Sequence, residues 1–211
     1  MNYKVENQEI DIIVYQKNIT RIQLQFTNNK QLIIKSRNHL SEEEVINIIE
    51  SNINWIKKQL NTKRITLAEN EMLFFGKKYF LVCDEVTDDY YFDGEKIYYS
   101  KKGLEKLYIE AYKEIAAMFT KINEQYAFKV DLKFRKMKSK WGSCHIYERK
   151  IVLNRILIHL PKELIEYIIY HEFSHFKYPN HSKNFYNEVA KYVPNYKKLQ
   201  KSLKEYSFLA L

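Results

Sequence analysis

Proline and glycine are scarce in this chain, 3 and 4 of 211 residues. A Pro-, Gly- or Ser-rich linker is therefore missing, and no low-complexity segment or internal repeat is visible. Cysteine is rarer still, with Cys83 and Cys144 alone. That excludes a disulfide framework and a zinc finger of paired cysteines, and it agrees with a reducing compartment. No run of 18 apolar residues occurs, which excludes a membrane-spanning helix. The opening Met1-Asn2-Tyr3-Lys4-Val5-Glu6 lacks the basic and then apolar pattern of a signal peptide. A cytoplasmic protein with no membrane association is the expectation.

What is present can build a core. The chain is 45% hydrophobic, enough for one domain or two small ones. Its net charge of +9 suits an anionic partner such as nucleic acid, nucleotide or acidic peptide. The same excess accompanies abundant Lys, Asn, Ile and Tyr, a mixture that AT-rich codon usage also produces.

Periodicity divides the chain near residue 100. Ile10, Ile12 and Val14, then Ile22, Leu24 and Phe26, alternate as strands, and an Asn28-Asn29 turn returns the chain through Leu32 to Ile34. Ser41 and Glu44 form a capping box that opens one helix carrying Val45, Ile49, Ile53, Ile56 and Leu60. Strands at Phe74-Phe75 and Tyr79 to Val82 follow, and a hairpin turns at Asp93-Gly94. Beyond Gly103 the period is helical through Leu104, Tyr108, Ala111, Ile115, Phe119 and Ile122. An α+β fold follows, with a mostly β amino-terminal region, residues 1–100, packed on a second domain, residues 101–211. In that second part Val130, Leu132 and Phe134 predict a strand, Trp141-Gly142-Ser143-Cys144 a turn, and Ile151 to Asn154 another strand. Pro161 fits the first position of a helix. Ser182 caps a helix with Phe185, Val189 and Tyr192, and a last basic helix spans Tyr196 to Tyr206.

The chemistry is concentrated in His171-Glu172-Phe173-Ser174-His175. Histidines four apart on a helix point the same way and can grip one metal ion. Pro179 stops that helix near Lys177, and the turn after it brings in His181 as a third ligand. Three protein ligands with a fourth position open is the arrangement of a catalytic metal. Glu172, beside the first histidine, is then the prospective general base. The helix is expected to bury Leu164, Ile165, Ile168, Ile169, His171, Glu172 and His175, leaving Glu163, Glu166, Tyr167, Tyr170, Ser174 and Lys177 on the other side. Glu188, on the next helix, is the rival third ligand. Three imidazoles suit zinc, though nickel, cobalt or manganese can occupy such a set. Tyr178, Tyr186 and His145 are candidates for stabilising an oxyanion. Cys144 reads as a packing residue, and His39, His145 and His159 have no ligand spacing.

At Trp141-Gly142-Ser143-Cys144, Leu153-Asn154, Pro161 and the HExxH helix with His181, the sequence resembles the YgjP-like family of metal-dependent hydrolases, related to SprT-like proteases. The order of the amino-terminal hairpin, the helix with Trp55 and Phe75-Gly76-Lys77-Lys78-Tyr79 is similar too. Phe173 stands where Leu is more usual, and Lys140 where Arg is. The resemblance implies a zincin-like metallopeptidase domain, with zinc on His171, His175 and His181 and Glu172 as base.

Three functions remain open on these residues. A zinc-dependent metallopeptidase would use a sheet edge beside the site, and Ile151 to Asn154 is the candidate. A nucleoside triphosphate hydrolase would hold phosphates with Lys133, Arg135, Lys136, Lys138 and Lys140. The same basic run suits a nucleic-acid-binding protein whose metal orders the fold.

Overall fold

Ile10 and Ile12 are buried while Glu9 and Asp11 face solvent, and this period-2 pattern makes a strand with one core face. In the computed structural model, which describes residues 1–27, 30–61, 65, 67–84, 86 and 88–210, that strand is β2 (Gln8–Gln16). It pairs antiparallel with β1 (Asn2–Val5) and parallel with β4 (Gln31–Ser36), which pairs antiparallel with β3 (Gln23–Phe26). The sheet order is β1-β2-β4-β3. Val14, expected inside by alternation, is 41% exposed, since it lies near the end of β2. The Asn28-Asn29 turn lies outside the described residues.

The Ser41 capping box forms as expected: its hydroxyl accepts from the Glu44 N–H at 3.3 Å and its own N–H donates to the Glu44 carboxylate at 2.8 Å. The helix it opens breaks at Asn52, giving α1 (Glu42–Ser51) and α2 (Ile53–Leu60) instead of one continuous helix. Val45, Ile49 and Ile56 pack with Ile10, Leu32 and Ile34 in one core.

A second sheet repeats the plan. Strands β5 (Glu71–Phe74), β6 (Lys77–Cys83), β7 (Tyr90–Asp93) and β8 (Lys96–Tyr99) run in the order β5-β6-β8-β7. Again the outer pairs are antiparallel and the inner pair parallel. The long helix α3 (Lys101–Asn123) follows, capped by Ser100. A third sheet, β9 (Asp131–Arg135), β10 (Gly142–His145) and β11 (Lys150–Asn154), has the order β10-β11-β9. A 3₁₀ turn, Arg155–His159, leads into α4 (Lys162–Ser174), then α5 (Lys183–Tyr192) and α6 (Tyr196–Leu203), with the 3₁₀ segment Lys204–Ala210 after it.

The chain is α+β, and it separates into the compact units Met1–Thr66 and Leu67–Leu211. The period change near residue 100 marks a change of element type and not the division. Strands β5 to β8 go with the later elements because specific bonds hold them there. The Phe75 N–H donates to the Ile158 carbonyl at 2.8 Å, and His159 Nδ1 lies 2.6 Å from the Leu73 carbonyl. Gly76, at φ +82°, lies so close to Pro161 that a Cβ there would come within 2.5 Å of the proline Cγ. Gly103 of α3 is pressed against the Asp89 carbonyl in the same way. Among the described residues no helix is long and apolar enough to cross a membrane.

Candidate metal centre

Helix α4 begins one residue later than expected, with Pro161 as its cap; the Pro161 carbonyl accepts from Leu164 and Ile165. It is buried on more than one face. Tyr167, Tyr170 and Ser174, predicted on the outer side, are 3%, 6% and 1% exposed, because α3, α5, α6 and β10 pack around it. Burial all round removes the amphipathic stripe that sequence periodicity relies on.

The helix ends at Ser174, and the Phe176, Lys177 and Tyr178 N–H groups close the turn on the Phe173 and Ser174 carbonyls. Pro179 then reverses the chain. Its carbonyl lies 3.2 Å from His175 Nδ1, which orients that ring with Nε2 away from the bond. Ser182 caps α5 immediately afterwards, so His181 is fixed between a turn and a helix start.

These constraints gather His171, His175 and His181, whose ligand nitrogens all lie within 4.8 Å of one another. His171 Nε2 and His181 Nε2 are 3.0 Å apart. Burial first, and then the two neighbouring imidazoles, push His171 down to about 3, and burial lowers His175 as well. Three imidazoles with donor nitrogens gathered this closely fit a borderline divalent cation such as zinc. His171 Nδ1 is buried with no hydrogen-bond partner among the described residues.

Glu188 is not part of this group. Its carboxylate is turned to two lysines, Lys177 Nζ at 3.1 Å and Lys191 Nζ at 2.7 Å, while 5% exposed. Burial alone would raise its pKa, but these hydrogen bonds hold it below the usual carboxylate value. Through Lys177 it braces the turn that delivers His181.

Glu172 lies in the same cavity as the three histidines, a space of about 490 Å³. It is 6% exposed. Burial raises its carboxyl to about 7, opposed by the Lys140 ammonium and a main-chain bond at Cys144. The carboxylate rests against Gly142: a Cβ there would come 2.8 Å from Glu172 Oε1 and 2.9 Å from Cγ. Trp141 to Cys144 is thus not the expected turn. Gly142 opens strand β10, and its glycine provides clearance instead of a bend.

The edge strand is likewise not the expected one. Ile151 to Asn154 is the central strand, and β10 is the edge beside Glu172. Sequence order could not reveal this, because β11 pairs with β10 on one side and with β9, earlier in the chain, on the other.

Tyr167, Gln200 and Leu203 also line the cavity, and sequence reasoning missed them. Helical periodicity puts Tyr167 on the outer side, and α6 carries no local signal that it reaches the site. Of the oxyanion candidates, Tyr186 accepts a bond from Gln200 Nε2 at 3.4 Å. His145 faces Ser143 and Glu148, and Tyr178 lies under Lys177. None of the three lines the cavity. Burial pushes the Cys144 thiol up to about 12, as befits a packing residue. His159 is the hydrogen-bonded residue described above, and His39 is exposed.

The family described as YgjP-like, metallopeptidase domain, matches residues 20–206. The chain belongs to the YgjP-like family. It therefore carries a domain of a metallopeptidase family, and its class is that of a metal-dependent hydrolase. The match starts inside unit 1 and runs through α6, so the YgjP-like pattern takes in the second sheet as well as the metal helix. Two solved structures are similar over part of the chain. The zymogen of Pyrococcus abyssi abylysin, a metallopeptidase, is 22% identical over 46% of this chain and 90% of its own, with a TM-score of 0.36. The zymogen of Methanocaldococcus jannaschii jannalysin, also a metallopeptidase, is 27% identical over 43% of this chain and 91% of its own, with a TM-score of 0.38. No curated protein matches the chain.

Proposed function

We propose that this protein is a zinc-dependent metallopeptidase, with His171, His175 and His181 as ligands and Glu172 as general base. The observation that carries this reading is the shared cavity, in which a buried carboxylate lies beside three clustered imidazoles and against the backbone of an edge strand. A bound divalent ion of this kind acidifies water and polarises a carbonyl.

The chain's own residues supply the rest. Glu172 is poised near neutrality, so its carboxylate takes a proton from the attacking water and its acid form returns one to the leaving nitrogen. Gly142, without a side chain, leaves that carboxylate its place against the edge strand. The free edge of β10 offers main-chain N–H and C=O groups to an extended polypeptide, which would add as a strand. Glu188, by holding Lys177, keeps His181 in register with the α4 histidines.

The test compares wild type with Glu172→Gln for metal content and for hydrolysis of unfolded protein and of nucleoside triphosphates. Equal metal content is expected, with peptide cleavage reduced about 100- to 10,000-fold in the variant. Cleavage of triphosphates alone, lost in Glu172→Gln, would transfer the site to phosphoanhydride hydrolysis. Salt-sensitive nucleic-acid binding with no hydrolysis would leave a binding protein.

A further inference from the structure

The basic run from Lys133 to Lys140 is continuous in sequence and divided in space. Lys133 is registered against Val152, and Val152 against Ser143, while Gly142 is registered against Leu153. Since successive residues of a strand point to opposite faces, Lys133 and Arg135 project from the face opposite the one Gly142 presents to Glu172. They also lie on β9, the far edge of the sheet. Lys140 alone of the five lines the cavity.

Its placement is built. Asn154 is fully buried, and its side-chain amide donates to the Lys140 carbonyl at 2.7 Å and the Met137 carbonyl at 2.8 Å. Its Oδ1 accepts from the Met137 N–H at 3.2 Å, and its main-chain N–H donates to the Trp141 carbonyl at 2.8 Å. One buried side chain thereby shapes the loop that presents Lys140 at the start of the edge strand. The ammonium forms none of the ion pairs within 4.0 Å found among the described residues. Glu172, which shares the cavity, is buried against Gly142 and feels the Lys140 ammonium without an ion pair to it within 4.0 Å. Lys140 thus brings a positive charge to the lining of the cleft, outside any ion pair within 4.0 Å among the described residues, beside the strand edge on which a polypeptide would lie.

Resting on the metallopeptidase reading, we propose that Lys140 is a specificity-determining residue that selects polypeptides carrying an aspartate or glutamate next to the scissile bond. The acidic side chain pairs with the ammonium, while the substrate backbone adds to β10. Nucleic acid is the less favoured partner, because Lys133 and Arg135 project from the opposite face of the sheet and Lys140 alone of the five lines the cavity.

The experiment uses matched peptides that differ by Glu against Gln beside the cleaved bond, on the metal-loaded full chain. Wild type is expected to prefer the Glu peptide by about fivefold in kcat/KM, the effect residing in KM, as for one solvent-exposed charge pair. The preference should shrink as salt is raised. Lys140→Arg should keep it, Lys140→Met should bring the ratio to about one, and Lys140→Glu should invert it toward Lys peptides. Binding of the uncleaved peptides to Glu172→Gln should show the same ratio in Kd. Peptide cleavage by wild type without a Glu preference overturns this inference and leaves the metallopeptidase reading standing; no peptide cleavage by wild type overturns that reading itself. An equal fall in kcat on both peptides in Lys140→Met, with the ratio retained, overturns it too, since Lys140 would then act on Glu172. So does loss of salt-sensitive oligonucleotide binding in Lys140→Met with the peptide ratio unchanged.

Discussion

The first sheet of unit 1 and the first sheet of unit 2 share one topology and end differently. Both place four strands in the order first, second, fourth, third, with antiparallel outer pairs around a parallel inner pair, and a helix follows each. In unit 1 the following helices fold back and close a core with their own sheet, through Val45, Ile49 and Ile56. In unit 2 the sheet meets α3 through Met72, Ile97 and Leu107, and α3 also packs on α4, the helix that carries His171 and Glu172. A common plan does not determine what a module serves; the surface met by its next helix does. The contrast extends to cavities. The groove of unit 1, about 540 Å³ beside Ile22, Leu24, Ile48 and Trp55, has no titratable lining residue, whereas that of unit 2 contains three histidines and a glutamate.

Metal removal should separate the two units most sharply. Chelation is expected to withdraw about 4 kcal/mol from the holo form where free metal exceeds its Kd a thousandfold. Hydrogen exchange read segment by segment should show the loss in α4 and α5, with α1, α2 and β4 unchanged. Equal loss in both units would end the distinction. In the opposite sense, Ile49→Ala empties a fully buried position of unit 1 and should cost about 3 kcal/mol there, with metal content unchanged by elemental analysis. Gly76→Ala should cost about 2 kcal/mol through its positive φ and the collision with Pro161. Its signature would be faster exchange in β5, β6 and the first turn of α4, which would show that the second sheet is tied to the metal helix.

How much of this could be read from residues alone depended on the range of the contact responsible. Ser41 with Glu44, Asp93-Gly94 before β8, and Ser182 before α5 act within a few residues, and each appeared where expected. The clustering of His171, His175 and His181 was legible because α4 and one short turn bring them together. Gly142 was misread because its partner, Glu172, lies thirty residues on, so a glycine needed for clearance looked like one needed for a turn. Strand order within the third sheet, the break at Asn52 and the reach of Gln200 into the cavity have no local signature. Nor did the true division at Thr66, which follows from His159, Phe75 and Gly76 binding strands to a helix far along the chain.

The clearance at Gly142 makes the alignment of two strands a chemical variable. A slip of β10 by one residue along β11 would set the Trp141 or Ser143 side chain where the glutamate now lies. Side-chain alternation would then aim every substituent of that strand at the wrong face. The hairpin of β10 and β11 therefore works as a gauge, since only one alignment of its rungs leaves the Glu172 carboxyl its place. Folding errors too small to disturb the core would displace the Glu172 carboxyl while leaving the chain folded.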